Sequence, residues 1–342
     1  MDKKLVKEYL SLFLRSKIGL NLSLPSVYNY IRYTIKCPNV KIPHGYSYPM
    51  VSMYVTRRCN KSCHYCVVGK LESIKYNDFE LTPCKYEIML KNSLIKRTLL
   101  ILFCGGEPLL NENICELISM TRKKGKISAI LTNGILLQKK FDDLLKAGIA
   151  DIQVSLYDDT IEVLKNNLQL MNKKMQMNAS YVLLRSDFEN HQEKLESVIA
   201  YALESGFKSL KFNFCLSNKN NNFIDESLKI EHKQKYDIFK AKMLKKYKYI
   251  NIYFHNISEN VDKKCKAPWN SLLVDAAGNF GFCCKHQPNV NENFNIFEKR
   301  WSEIINNELF SGWRAKLLAD DKIIPEHCKG CYHLNGSYSS NI

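Results

Sequence analysis

Cys59, Cys63 and Cys66 fall in the run Arg58-Cys59-Asn60-Lys61-Ser62-Cys63-His64-Tyr65-Cys66, a C-x3-C-x2-C spacing placed directly after the apolar stretch 49–56. Any fold of this chain must bring the three thiols onto one loop. Thiolate-only sites favour iron-sulfur or zinc. An iron-sulfur cube needs four ligands, so a triad leaves one iron without a protein donor. Structural zinc prefers four closed ligands with C-x2-C pairs, and His64 would have to supply the fourth from inside the same loop.

From residue 49 the hydrophobic pattern alternates strands and helices. Strands are expected at 49–56, 98–103, 127–132, 151–156, 177–184 and 209–215, with helices near 83–95, 112–124, 137–147, 160–174 and 190–205. Thr82-Pro83 and Asn190 read as helix starts, and Gly125, Gly148 and Gly206 as stops. Such alternation implies parallel pairing. Six units are too few for a closed eight-stranded barrel, so an open (β/α)6 arc is the expected fold. Functional residues of parallel sheets gather at the carboxyl ends of the strands. The cysteine loop, the turn Cys104-Gly105-Gly106-Glu107-Pro108, Asn133-Gly134 and Ser155 all fall there.

With the cysteine triad after the first strand and Gly-Gly-Glu-Pro after the second, the chain resembles the radical SAM superfamily over about residues 49–215. The resemblance implies an α/β fold, a partial barrel whose triad holds a [4Fe-4S] cluster. Its open iron chelates the amine and carboxylate of S-adenosylmethionine, and an electron from the cluster releases a 5'-deoxyadenosyl radical that removes hydrogen from an unactivated C–H bond. It further implies that Gly105 and Gly106 admit close backbone approach and that Glu107 or its turn receives the cofactor's ammonium. Tyr65 would lie near the adenine, and Ser155 and Asn133 would reach the ribose or carboxylate. Arg185 would pair with the carboxylate. For Arg185 a surface ion pair is the alternative, and for Ser155 a capping role. A flavodoxin- or ferredoxin-type electron donor is the implied partner.

A second constellation closes the chain: Cys265, Cys283, Cys328 and Cys331. It resembles the opening of the SPASM extension of radical SAM enzymes, with Asp275 to Cys283 forming a hairpin that turns through Ala277-Gly278-Asn279. No cysteine follows Cys331. The resemblance is therefore closer to the single-cluster version, the twitch domain, in which four ligands close an auxiliary [4Fe-4S] cluster. Cys284 is ambiguous: an alternate ligand, inert packing, or a hydrogen-atom donor.

The 342 residues suffice for a large domain and a smaller one, expected as a basic helical cap at 1–48, the partial barrel at 49–216, a connecting helix (231–247) and strand (250–255) within 217–260, and the small iron-sulfur domain at 261–342. The cap is read from Leu5, Tyr9, Leu12 and Phe13 among lysines and arginines; packing on the barrel is favoured over contact of residues 1–20 with a membrane surface. Thirteen cysteines, no secretory signal and no span-length apolar run point to a reducing cytoplasm. Cys37, Cys84, Cys104, Cys115 and Cys215 read as buried small hydrophobes. The net charge of +16 suits an anionic partner or a lysine-rich solvated surface.

The expected function is hydrogen abstraction from a polar substrate, with dehydrogenation of a hydroxylated small molecule (a sugar, aminocyclitol or nucleotide-linked sugar) ahead of maturation of a ribosomally made peptide. A zinc-stabilised nucleic-acid-binding protein and an iron-sulfur electron carrier are the non-catalytic rivals. Neither accounts for a three-ligand site beside a Gly-Gly-Glu-Pro turn.

Overall fold

Val51, Met53 and Val55 face one side of β1 (Met50–Thr56) and Ser52 and Tyr54 the other, and this two-residue alternation runs through the whole sheet of the computed structural model. The structure describes residues 22–35, 39–68, 79–157, 160–161, 164, 168–216, 226–257, 265–288, 294–299, 301–319, 323–329, 331–335 and 338–340. The expected helix around residues 5–13 and Cys37 lie outside them.

The strands that follow are β2 (Leu100–Gly105), β3 (Ile127–Thr132), β4 (Asp151–Ser155), β5 (Asn178–Leu183), β6 (Ser209–Phe214), β7 (Asn251–His255), β8 (Ser271–Asp275), β9 (Phe280–Gly281) and β10 (Tyr338–Ser340). They form one sheet in the order β10-β7-β6-β5-β4-β3-β2-β1-β8-β9. Every neighbour from β7 through β8 is parallel, and β9 and β10 are antiparallel edges. The expected six-stranded arc is thus present and longer than its sequence pattern indicated. β7 continues it beyond β6, and β8 covers the free edge of β1. An uncovered edge leaves backbone donors and acceptors unpaired, which favours such additions.

One face of the sheet is packed with helices. Ile101, Ile152, Leu210 and Phe254 share a core with Met89, Leu117, Leu144 and Ile199 of the helices Pro83–Lys91, Ile114–Lys123, Leu137–Ala147 and Gln192–Glu204. Gly148 ends the third of these in the left-handed region at φ 90°, as its position after the last apolar residue predicts. Asn190 is not a helix start: it ends a short helix, Arg185–Asn190, and His191 separates this from Gln192–Glu204. Asp187 ties that short helix to β5 by accepting the Tyr181 hydroxyl at 2.8 Å.

The inner face encloses a lumen. Tyr54 on β1 and Lys211 on β6 stand at alternate positions to the buried core residues of their strands and so share this inner face. Toward the amino ends of β1 to β3 the lumen is filled by apolar packing, with Val27 and Tyr30 of helix Leu24–Ile35 against Leu100, Ile127 and Ala129. The carboxyl-terminal region is knitted to the segment before β1. Buried Arg314 donates to the Val40 carbonyl at 2.7 Å, and Asn306 exchanges hydrogen bonds with both backbone groups of Ile42 at 2.9 Å.

A buried ion pair joins the two cysteine-bearing regions. Arg57, at the exit of β1, meets Asp275, at the end of β8, at 3.1 Å, with side-chain exposures of 3% and 1%. The Asp275 carboxylate also accepts the backbone N–H groups of Ala277 and Asn279, each at 3.0 Å, and so shapes the expected hairpin turn at Gly278. Removing one partner of a buried pair strands the other charge. Asp275→Ala should therefore destabilise the fold by about 3–5 kcal/mol in urea unfolding, and a loss below about 1 kcal/mol would show that the pair does not hold the regions together.

Candidate active site

The cysteine loop leaves β1 under close restraint. Glu80 accepts the Thr56 hydroxyl and, at 2.8 Å, Arg58 Nε, while Arg58 Nη2 donates to the Leu110 carbonyl at 2.9 Å. Asn111 Nδ2 donates to the Val55 carbonyl at 2.9 Å from the far side. The turn after β2 then packs directly on this exit. Gly106 N–H donates to the Thr56 carbonyl at 2.9 Å and Glu107 N–H to the Arg58 carbonyl at 2.8 Å. There is no room for side chains here. A Cβ on Gly106 would fall 2.1 Å from the Arg58 carbonyl oxygen, and one on Gly105, whose φ is 121°, would fall 2.6 Å from that of Thr56.

Glu107 is fully buried, and its carboxylate accepts from the Thr132 hydroxyl at 2.7 Å, Leu109 N–H at 3.0 Å and Asn133 N–H at 2.7 Å. Burial pushes its pKa up, against the pull of those three donors. The carboxylate thus acts as a strut between the ends of β2 and β3. Asn133 completes the connection: its Nδ2 donates to Asn60 Oδ1 at 2.7 Å and lies 3.9 Å from Cys59 Sγ.

The three thiols share one field, Cys66 acting on both Cys59 and Cys63. Burial raises the pKa of Cys59 and Cys63, which favours the neutral thiols and makes metal binding release protons. The donor set suits iron-sulfur chemistry, because the Lys61 N–H and the Asn133 amide are directed at the Cys59 sulfur, the kind of hydrogen bond that tunes a cluster. His64 is exposed, its ring edge against Tyr65 at 5.0 Å between centroids. Among the described residues no three His, Cys, Asp or Glu side chains gather tightly enough for a single metal ion.

Tyr65 packs beside Tyr157, which hydrogen-bonds both Cys63 and Ser155 and carries Lys61 Nζ over its ring at 4.5 Å. Tyr157 and Asn111 carried no motif, and only the fold reveals their place. Ser155 ends β4, within this group. Arg185, the first residue of its short helix, is half-buried and lies 4.0 Å from the Glu189 carboxylate.

The second cysteine group lines a cavity of about 450 Å³ that contains Cys265, Cys283, Cys284, Cys328 and Cys331. Its wall includes Met50 and Ser52, at the amino end of β1, opposite the triad. Burial pushes the thiol of Cys265 up to about 11 and those of Cys328 and Cys284 up to about 12. Such a dry ring of thiols suits a multi-iron cluster, which would ionise them. His286 N–H donates toward Cys283 Sγ at 3.3 Å, and His327 Nε2 lies 3.4 Å from the same sulfur with its ring stacked on Trp313. Cys284 lines the same cavity as the four expected ligands. Gln287 accepts the Tyr54 hydroxyl at 2.5 Å and donates to the Cys284 carbonyl, so a polar bridge links mid-β1 to this loop.

Residues 53–228 match the family model described as the radical SAM superfamily, and residues 265–332 match the SPASM iron-sulfur cluster-binding domain. A GTP 3',8-cyclase of Clostridium acetobutylicum is 36% identical over 121 residues, 35% of this chain and 37% of its own. A PqqA peptide cyclase of Gluconobacter oxydans is 34% identical over 107 residues, 31% and 29% of the two chains. The chain spans about a third of the length of the curated relatives it matches. Among solved structures, Streptococcus suis SuiB bound to S-adenosylmethionine aligns with TM-score 0.61 at 14% identity, over 79% of this chain and 68% of SuiB. Native anSMEcpe with bound AdoMet aligns with TM-score 0.59 at 18% identity, over 84% and 88%. At such identities the likeness concerns the fold.

Because Gly106 abuts backbone rather than a flexible side chain, Gly106→Ala must displace the cysteine loop. After anaerobic reconstitution the variant should hold about four irons per chain where the parent holds about eight. Equal iron content, with an unchanged cluster signal in electron paramagnetic resonance, would show that the contact is dispensable.

Proposed function

The chain belongs to the radical SAM superfamily and carries a SPASM iron-sulfur domain, and from that premise we propose that it removes a hydrogen atom from a polar substrate held in the lumen and completes a two-electron oxidation there. When bound, the [4Fe-4S] clusters and S-adenosylmethionine supply reductive cleavage of the sulfonium and an electron acceptor at the other end of the site. One observation carries the reading. The two cysteine groups lie at opposite ends of the same strand, β1, roughly 20 Å long at ~3.3 Å per residue, with the inner face of the arc between them.

The chain's own residues divide the remaining tasks. Cys59, Cys63 and Cys66 hold the first cluster with three donors, and the backbone of Gly105 and Gly106 offers a side-chain-free floor for the cofactor's amino-acid portion. Tyr65, Tyr157, Ser155 and Asn133 frame the cofactor's other end. Cys265, Cys283, Cys328 and Cys331 would hold the auxiliary cluster with four donors, which would leave it no position for the sulfonium and let it supply an electron acceptor beside the pocket. Gln153, Lys211, Asn213 and Tyr253 are half-buried on the inner faces of β4, β6 and β7, where polar side chains can hold hydroxyl groups of a small substrate. An external low-potential donor such as a flavodoxin or ferredoxin delivers the first electron.

A peptide substrate is the second reading. The match over residues 265–332 and the partial likeness to a PqqA peptide cyclase favour it.

Incubation of the reconstituted protein with S-adenosylmethionine and dithionite should yield 5'-deoxyadenosine from a chain holding about eight irons, and the Cys59→Ala/Cys63→Ala/Cys66→Ala variant should yield none while keeping about four. A colourless zinc protein, or no 5'-deoxyadenosine, would overturn the proposal. Cys284→Ala should keep both clusters and the product. Loss of product while 5'-deoxyadenosine still forms would instead assign Cys284 as a hydrogen donor.

A further inference from the structure

Two kinds of donor meet the sulfurs of the second cysteine group. Backbone groups serve most of them, with Ala267 N–H directed at the Cys265 sulfur and the His333 and Leu334 N–H groups at that of Cys331. At Cys283 a ring nitrogen joins the backbone. Its Sγ receives the His286 N–H at 3.3 Å and has His327 Nε2 at 3.4 Å, within the reach of a hydrogen bond to sulfur. Cys283 and His327 both line the cavity of about 450 Å³ that the other auxiliary thiols share, and Trp313 lines it with them.

The His327 ring is held in place by its neighbours. It belongs to the single 3-10 turn Glu326–Cys328, directly before a thiol, and its plane stacks on Trp313 of helix Glu308–Leu318 with centroids 4.9 Å apart and an interplanar angle of 13°. The His286 ring stands nearly perpendicular to both, 5.4 Å from His327 and 5.1 Å from Trp313. Trp313 packs edge-on against Phe282, the residue before Cys283, at 4.8 Å, and Phe310 of the same helix meets Phe282 at 4.5 Å. Stacked and edge-on contacts of this kind fix both the plane and the edge of a ring. The edge so fixed presents Nε2 to Cys283.

A sulfur that ligates iron is a thiolate and carries no proton of its own. In the loaded protein the contact is therefore a hydrogen bond only when the proton lies on Nε2. A hydrogen bond to a ligand sulfur stabilises the reduced, more negative state of a cluster above the oxidised one, and so raises the reduction potential. We infer that His327, held by Trp313, donates a hydrogen bond from Nε2 to Cys283 Sγ and thereby makes the auxiliary cluster a readier acceptor of one electron. His327 acts through Cys283 and is a positioning residue. The inference rests on Cys283 being a cluster ligand, as proposed above.

The test is a redox titration of the full reconstituted protein with dithionite, followed by electron paramagnetic resonance. S-adenosylmethionine should alter the signal of the three-cysteine cluster, so the signal it leaves unchanged is read as the auxiliary one. His327→Phe keeps a ring to stack on Trp313 and removes the donor. It should hold about eight irons per chain and accept an electron at the auxiliary cluster about tenfold less favourably, ~59 mV lower for a one-electron couple, with the other midpoint unmoved. His327→Gln, which offers an amide N–H, should recover most of the difference. An unmoved auxiliary midpoint in His327→Phe overturns the inference, as does an equal shift of both midpoints, the mark of a general structural effect. Should His327→Phe lose the auxiliary cluster, pulsed resonance on the wild type, its histidine rings labelled with nitrogen-15, decides. A weak nitrogen coupling to the reduced auxiliary cluster is expected, and either no coupling or the strong coupling of a directly bound nitrogen overturns the inference. Iron content separates the two readings: a wild type holding about four irons strikes the ligand assignment and this inference together, whereas about eight irons with an unmoved midpoint strikes this inference alone.

Discussion

The Gly105-Gly106 turn, packed on the exit of β1 so closely that a Cβ on Gly106 would fall 2.1 Å from the Arg58 carbonyl oxygen, is the contact on which the rest of the site depends. Two hydrogen bonds, Gly106 N–H to Thr56 and Glu107 N–H to Arg58, lock the start of the cysteine loop to the end of β2. Glu107 then extends the lock to β3 through Thr132 and Asn133, and Asn133 returns it to the cysteine loop through Asn60. Three strands and the loop that carries the thiols are thereby fixed by one buried carboxylate and two missing side chains. Buried polar groups of this kind persist only when every partner is present, which makes the arrangement all-or-none.

A second lock acts across regions far apart in sequence. Arg57 belongs to the first cysteine loop and Asp275 to the hairpin that leads to Cys283, and their contact sets how the two cysteine groups face each other. The polar bridge from Tyr54 through Gln287 to Cys284 runs alongside it. In the proposed reaction, with hydrogen leaving at one end of the lumen and an electron at the other, that fixed span would be a functional dimension. The knitting of Arg314 and Asn306 to residues 40–42 adds rigidity at the opposite side of the auxiliary region.

The central strands were legible because period-two alternation on a sheet covered by helices forces apolar residues to one face. β3 begins and ends where the pattern placed it, and the turn at Gly278 follows from glycine's freedom at φ 89°. Other features were not legible. Helix Arg185–Asn190 is pinned by the Tyr181 to Asp187 contact, a tertiary interaction that leaves no periodic signature in six residues. Tyr157, Asn111 and Glu80 belong to no motif, and their importance comes from which carbonyl or thiol they meet.

What the sequence by itself determined is local: two cysteine sets of three and four donors, the glycines that permit close approach, and the strand-helix rhythm that puts the first set at the carboxyl end of a parallel strand. Each depends on covalent spacing and on the intrinsic conformational freedom of single residues. Only the tertiary structure decided that β8 from the carboxyl-terminal region joins the free edge of β1 and that the second thiol set lies at the other end of that same strand. The physical reason is that edge pairing, buried charge and the curl of a sheet depend on which distant segments meet, and no short stretch of chain encodes such meetings.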